Sequence, residues 1–184
     1  VIAFGRMSKN KLIQTIVKVY ISIMRGTPLM LQLMVVYFGP YYLFRIKVGS
    51  SYRLWATFIG FVINYAAYFA EIFRGGIESI PRGQYEAAAA LGMTKAQTFF
   101  RIILPQVIKR IVPASSNEVI TLVKDTSLAR IIAVYELIWS GQTFIKGAAI
   151  IWPLFFTGVF YLVFCGILTI LFGLIEKKLA YFNA

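Results

Sequence analysis

Residues 86–105 read EAAAALGMTKAQTFFRIILP. This stretch is polar and basic, and it interrupts a chain that is otherwise strongly apolar. Its local chemistry predicts two short helical segments. The first carries Tyr85 to Leu91 and stops at Gly92, because glycine accepts the left-handed conformation at a helix end. Thr94 followed by Gln97 matches a capping box that starts the second. Pro81 suits the first turn of the leading helix, and Leu104-Pro105 is expected to bend the chain back toward an apolar phase. Small alanine side chains on such a loop let a partner approach closely. The bland alternative is a surface helix lying at an interface.

Outward from this loop the chain reads as membrane-spanning. Of its 184 residues 59% are hydrophobic and 16% aromatic, too apolar for an ordinary soluble domain. Residues 147–175 carry no charge, and about 20 apolar residues suffice to cross a bilayer. A second candidate span is 54–73, and a third is 29–44, extending back through Tyr20. A weaker fourth is 102–123, which holds polar and charged residues. Helices are expected throughout, since lipid offers the backbone no hydrogen-bond partners.

The net charge is +12. Nucleic-acid binding would gather that charge on a soluble face. Here the cations lie between apolar spans, as the positive-inside rule requires. Arg6, Lys9, Lys11, Lys18 and Arg25 flank the first part of the chain. Arg74, Arg82, Lys95, Arg101, Lys109 and Arg110 flank the 86–105 loop, and Lys177 and Lys178 follow the last span. Arg45, Lys47, Arg53 and Lys146 then fall on the outer side, against the trend. The lone Cys165 has no intrachain partner, and the absence of histidine excludes His-based metal sites and triads. No phosphate-binding GxxxxGK[ST] loop is present, so the chain is not expected to hydrolyse ATP.

Residues 9–37 are expected to form one long helix kinked at Pro28, ended by Gly39-Pro40. A polar loop over 44–53 follows, with Tyr41, Tyr42, Tyr52 and Trp55 as an interfacial belt. The next helix, 54–80, would be loosened by Gly75-Gly76. Residues 124–127, KDTS, break the fourth span. A short helical piece over 128–139, a loop over 141–147 and the last span complete a single transmembrane domain over 1–184. Residues 1–5 read as the tail of a further span.

The loop resembles, position by position, the EAA loop of ABC importer permeases: EAA, three residues, Gly, nine residues, Ile, one residue, Leu-Pro. RGTPL at 25–29 with Gln32, YFAEIFRGGI at 68–77, Asn117-Glu118 and KDTSL at 124–128 narrow the resemblance to importers of histidine, arginine, lysine, glutamine or glutamate. It implies an all-α permease fold, usually of five spans, with the first largely absent here. It also implies a multi-pass protein of the prokaryotic plasma (inner) membrane working by alternating access. The implied partners are an ABC ATPase subunit holding ATP and Mg, a second permease chain, an extracytoplasmic binding protein and a polar amino acid. Residues 78–105 would be the coupling region, with Tyr85, Glu86, Ala87, Ala88, Ala89, Gly92, Met93 and Thr94 against the ATPase.

Substrate-pathway candidates are Gln32, Asn64, Glu71, Asn117, Glu118, Lys124 and Asp125. Each has a structural alternative. Gln32, with Arg25 and Thr27, either lines the pathway or braces the kink at Pro28. Asn64 is interhelical glue or pathway lining. Glu71 pairs with Arg74 one turn on or gates. Asn117 and Glu118 lie mid-span, where an ionisable group is costly and functional by default. Glu118 would hold a substrate ammonium or make an ion pair within a dimer. Lys124 and Asp125 mark a helix break of the kind found at transport sites, or an external turn. The competing classes are an ion-coupled transporter using Glu118, separable by ATP dependence, and a membrane scaffold without flux.

Overall fold

The computed structural model describes residues 1–179. The elements in chain order are α1 (Ile2–Arg6), α2 (Lys11–Gly26), α3 (Leu29–Phe44), α4 (Tyr52–Glu78), α5 (Arg82–Ala90), α6 (Lys95–Gln97), a π-helical stretch (Thr98–Ile103), α7 (Leu104–Asp125), a 3-10 stretch (Thr126–Ile132), α8 (Leu137–Ala148) and α9 (Trp152–Leu179). No strand occurs among the described residues, and the fold is all-α, as the sequence implied.

α4 is the hub. α1 and α2 pack on it through Ala3, Ile21, Ala67 and Ala70, and the small alanines bring helix axes close. α3 packs on its outer half, where Leu33 is fully buried against Phe61 and Tyr65. A Cβ on Gly60 would lie 2.7 Å from Leu33 Cδ2, so a larger residue there would force Leu33 to shift. At the other end Ile80, Ile103 and Val107 lock α4 to α7. α9 packs on α7 and α8, while Phe156, Leu162 and Ile170 remain exposed, a surface suited to hydrocarbon.

α4 and α9 are each long and apolar enough to cross a membrane, and the α2–α3 pair meets the same test as one broken span. α7 has the length for a crossing, but Lys109, Arg110, Glu118, Lys124 and Asp125 keep it out of that set.

Several local expectations are corrected. Residues 9–37 do not form one kinked helix: α2 and α3 meet at 109°. Pro40 does not end α3, which continues to Phe44. A proline at 40 deprives the Val36 carbonyl of its helical donor, and the Tyr52 hydroxyl donates to that carbonyl at 3.1 Å instead. Gly76 does not loosen α4. It is buried, and a Cβ there would lie 2.3 Å from Ile111 Cγ2 and 3.3 Å from Val107 Cγ1, so its role is close packing.

Leu104-Pro105 makes no break in the helix. α6, the π stretch and α7 follow one another without interruption from Lys95 to Asp125. The Leu104 N–H bonds the Phe99 carbonyl five residues back, and the Gln106 amide donates to the Ile102 carbonyl at 2.9 Å. Residues 128–139 are split between the 3-10 stretch and the start of α8. Residues 141–147 are helical, with Gly141 buried against Thr157. The last helix starts at Trp152.

Candidate functional site

The break between α2 and α3 is held by side chains that answer a specific deficit. Pro28 has no N–H, so the Met24 carbonyl loses its helical donor. Gln32 Nε2 donates to that carbonyl at 2.9 Å, and Asn64 Nδ2 from α4 donates to it at 3.2 Å. Gln32 Nε2 also lies 2.8 Å from Thr27 Oγ1, and Gln32 Oε1 accepts from Asn64 at 3.0 Å. Gln32 and Asn64 therefore brace the break. Gln32→Leu is expected to destabilise the purified protein by about 2 kcal/mol, since it strands part-buried polar groups. Asn64→Leu should cost less, because Gln32 still reaches Met24. Thermal unfolding of the two variants side by side checks the order.

Beyond this brace lies a cavity of about 380 Å³, lined in part by Asn64, Tyr65, Tyr68, Glu118, Thr121 and Asp125. Glu118, Thr121 and Asp125 recur on one face of α7, and Tyr65 and Tyr68 share a face of α4. Asp125 accepts a 2.8 Å hydrogen bond from the Tyr65 hydroxyl. The Glu118 carboxylate has no hydrogen bond or ion pair among the described residues. No lysine or arginine lines the cavity. At its edge the Arg25 guanidinium lies 5.4 Å from the Tyr68 ring centroid. Such a cavity is suited to a small molecule carrying a cationic ammonium.

The seven pathway candidates are thus separated. Asn64, Glu118 and Asp125 line one cavity, with Gln32 behind Asn64. Glu71 lies elsewhere, bonded by Arg74 at 2.6 and 3.0 Å, and Arg6 stands 3.8 Å away. Arg74 also pairs with Glu78. Asn117 and Lys124 are exposed and outside the lining. Tyr65, Tyr68 and Thr121 were missed from sequence. Thr121 had a signal in its spacing, since 118, 121 and 125 fall on one helical stripe, whereas Tyr65 and Tyr68 carried none.

At the opposite end of α7 stands the 86–105 loop. α5 ends as the sequence foretold: Gly92 has φ +71°, its N–H bonds the Ala89 carbonyl, and the Met93 N–H bonds the Ala88 carbonyl. Both bonds of a Schellman ending are present. Thr94 and Gln97 form the complete capping box. Tyr85, Glu86, Ala87, Ala89, Gly92 and Thr94 are exposed, and Met93 is half-buried. Ala88 is not available to a partner: it is 3% exposed and faces inward. Leu91 and Phe100 are strongly exposed beside this face; sequence reasoning passed over them, because isolated apolar residues read as core.

Residues 1–181 match the family described as binding-protein-dependent transport system inner membrane component. A probable amino-acid ABC transporter permease protein, YckA of Bacillus subtilis (strain 168), is 38% identical, covering 98% of this chain and 79% of that one. The arginine transport system permease protein ArtQ of the same organism is 39% identical, covering 87% and 72%. A crystal structure of an amino acid ABC transporter with histidines superposes with a TM-score of 0.85 at 33% identity, covering 96% of this chain and 81% of that one. An inward-facing structure of the MetNI methionine ABC transporter, 21% identical, shares the fold with a TM-score of 0.71 over 92% of this chain and 76% of that one.

Proposed function

The chain belongs to the family of binding-protein-dependent transport system inner membrane components, and from that premise we propose that it is the permease subunit of an ATP-driven importer for a polar amino acid. Substrate arrives from an extracytoplasmic binding protein, and a second permease chain completes the pathway. ATP and Mg are held by a separate ATPase, which docks on the exposed face of α5. Nucleotide-driven closure of that partner displaces the loop and shifts the membrane helices between inward- and outward-open states, an equilibrium biased by a ligand on another subunit.

The observation that carries the substrate class is the 380 Å³ cavity with two carboxylates and no lining cation. Glu118 offers its carboxylate to the substrate ammonium. Asp125, fixed by Tyr65, adds negative potential without being free to swing. The curated relatives named for arginine and for amino acids in general support this class.

The test is reconstitution of the chain into liposomes with its ATPase and binding protein, scoring uptake of labelled arginine, histidine, glutamine and glutamate. Uptake that disappears without ATP is the expected result. Flux driven by an ion gradient in the absence of ATP would overturn the reading in favour of a secondary transporter. In the same system Glu118→Gln is expected to weaken the apparent affinity about tenfold, the loss of one charge-assisted hydrogen bond, with the complex still assembled. Unchanged uptake would remove Glu118 from the pathway.

A further inference from the structure

α7 runs from the 86–105 loop to Asp125, about 33 Å at 1.5 Å per residue, so the 3-10 stretch and α8 lie at the face opposite the loop. On that face Arg130, Trp139, Gln142, Thr143 and Lys146 line a second cavity, of about 320 Å³. Neither cationic side chain has a hydrogen bond or ion pair among the described residues. No carboxylate lines the cavity. Glu136, at the start of α8, is committed elsewhere: its two oxygens accept from the Ile138 and Trp139 N–H groups, each at 2.7 Å, and cap α8.

Two unpaired cations sharing one cavity repel each other unless an anion joins them. Their position makes this sharper, because positive residues are depleted on the outer side of a membrane. Trp139 supplies an amphipathic ring of the kind that sits at headgroup level. The adjoining surface is apolar, with Ile150, Ile151 and Trp152 exposed at the start of α9, against which α8 packs through Gly141.

We propose that this cavity binds the phosphate headgroup of an anionic lipid in the outer leaflet. Arg130 and Lys146 contact the phosphate oxygens, with the Arg130 guanidinium able to offer two parallel N–H donors. Gln142 donates from its amide, and Trp139 packs against the glycerol region while the acyl chains lie along α9.

The experiment is native mass spectrometry of the whole transporter complex in detergent, titrated with phosphatidylglycerol or phosphatidylcholine. The expected result is preferential retention of phosphatidylglycerol, reduced at least tenfold by Arg130→Gln with Lys146→Gln. The control pair Arg45→Gln with Lys47→Gln, on the other outer loop, should leave retention unchanged. Lys146→Gln alone should give an intermediate loss and serves if the double variant fails to assemble. Equal retention by wild type and both Lys146 variants would overturn the proposal, as would an equal loss in the control pair. Displacement of the lipid by millimolar inorganic phosphate or glutamate would also overturn it, identifying a soluble anion as the occupant. Retention is read without transport, so it stands or falls separately from the importer assignment.

Discussion

Glu86→Lys is expected to lower ATP-driven uptake about a hundredfold while leaving the membrane fold unchanged. Glu86 is exposed on α5, and substitutions at exposed positions away from caps and networks usually change stability by less than about 0.5 kcal/mol. The end of α5 does not depend on it, because the Gly92 and Met93 N–H groups close the helix on backbone carbonyls alone. At a docked interface the same change is severe. Loss of one partner of a desolvated charge pair costs about 2–5 kcal/mol, and reversal adds repulsion, so about 2.7 kcal/mol, a hundredfold, is a conservative figure. The measurement is uptake and ATP hydrolysis in proteoliposomes, with circular dichroism on the variant. Normal uptake with the charge reversed would remove α5 as the docking surface. A collapsed fold would show that Glu86 is structural after all.

Gly76→Leu is expected to cost about 3 kcal/mol and to cut the yield of assembled protein sharply. A single added carbon at this position already lies 2.3 Å from Ile111 Cγ2 and close to Val107. The remaining leucine atoms must displace α7 from α4, and overpacking of that kind costs about 1–3 kcal/mol. The adjacent residue gives the contrast. A Cβ on Gly75 meets nothing within 4 Å, so Gly75→Ala is expected to raise stability by up to about 1 kcal/mol through helix propensity. Thermal unfolding of the two variants decides the matter. If both destabilise alike, Gly75-Gly76 is a flexible joint and the packing account of Gly76 is wrong.

This pair also shows where sequence reading reaches its limit. The identity of two consecutive glycines says that the backbone is permissive. Which one faces a neighbouring helix depends on the rotation of α4 against α7. Pro28 and Pro40 differ in the same way. Each removes one donor, and in each case side chains answer the freed carbonyl, Tyr52 at Val36 and Gln32 with Asn64 at Met24, yet α3 runs on through Pro40 whereas at Pro28 the chain turns by 109°. No local pattern distinguishes the two. Where the chemistry closes within a few residues, the reading was accurate: Gly92 ended α5, and Thr94 with Gln97 capped the following turn. The ion pair of Glu71 and Arg74 was equally legible from its spacing. The cavity was legible only in part, since Glu118 and Asp125 are conspicuous as charges in an apolar chain, whereas Tyr65 and Tyr68 pass for ordinary aromatic core.

The unbroken helical run from Lys95 to Asp125 joins the exposed loop to the carboxylate that Tyr65 holds. At 1.5 Å per residue its contour is about 45 Å, with the Ile80–Ile103–Val107 cluster near the loop end. That cluster divides the run into arms of about 15 Å and about 30 Å. A rotation of about 5° around it moves the loop end by about 1.3 Å and the Asp125 end by about 2.6 Å at this rise per residue. A displacement no larger than a bond length at the short arm is therefore comparable, at the long arm, to the length of the Tyr65–Asp125 hydrogen bond itself.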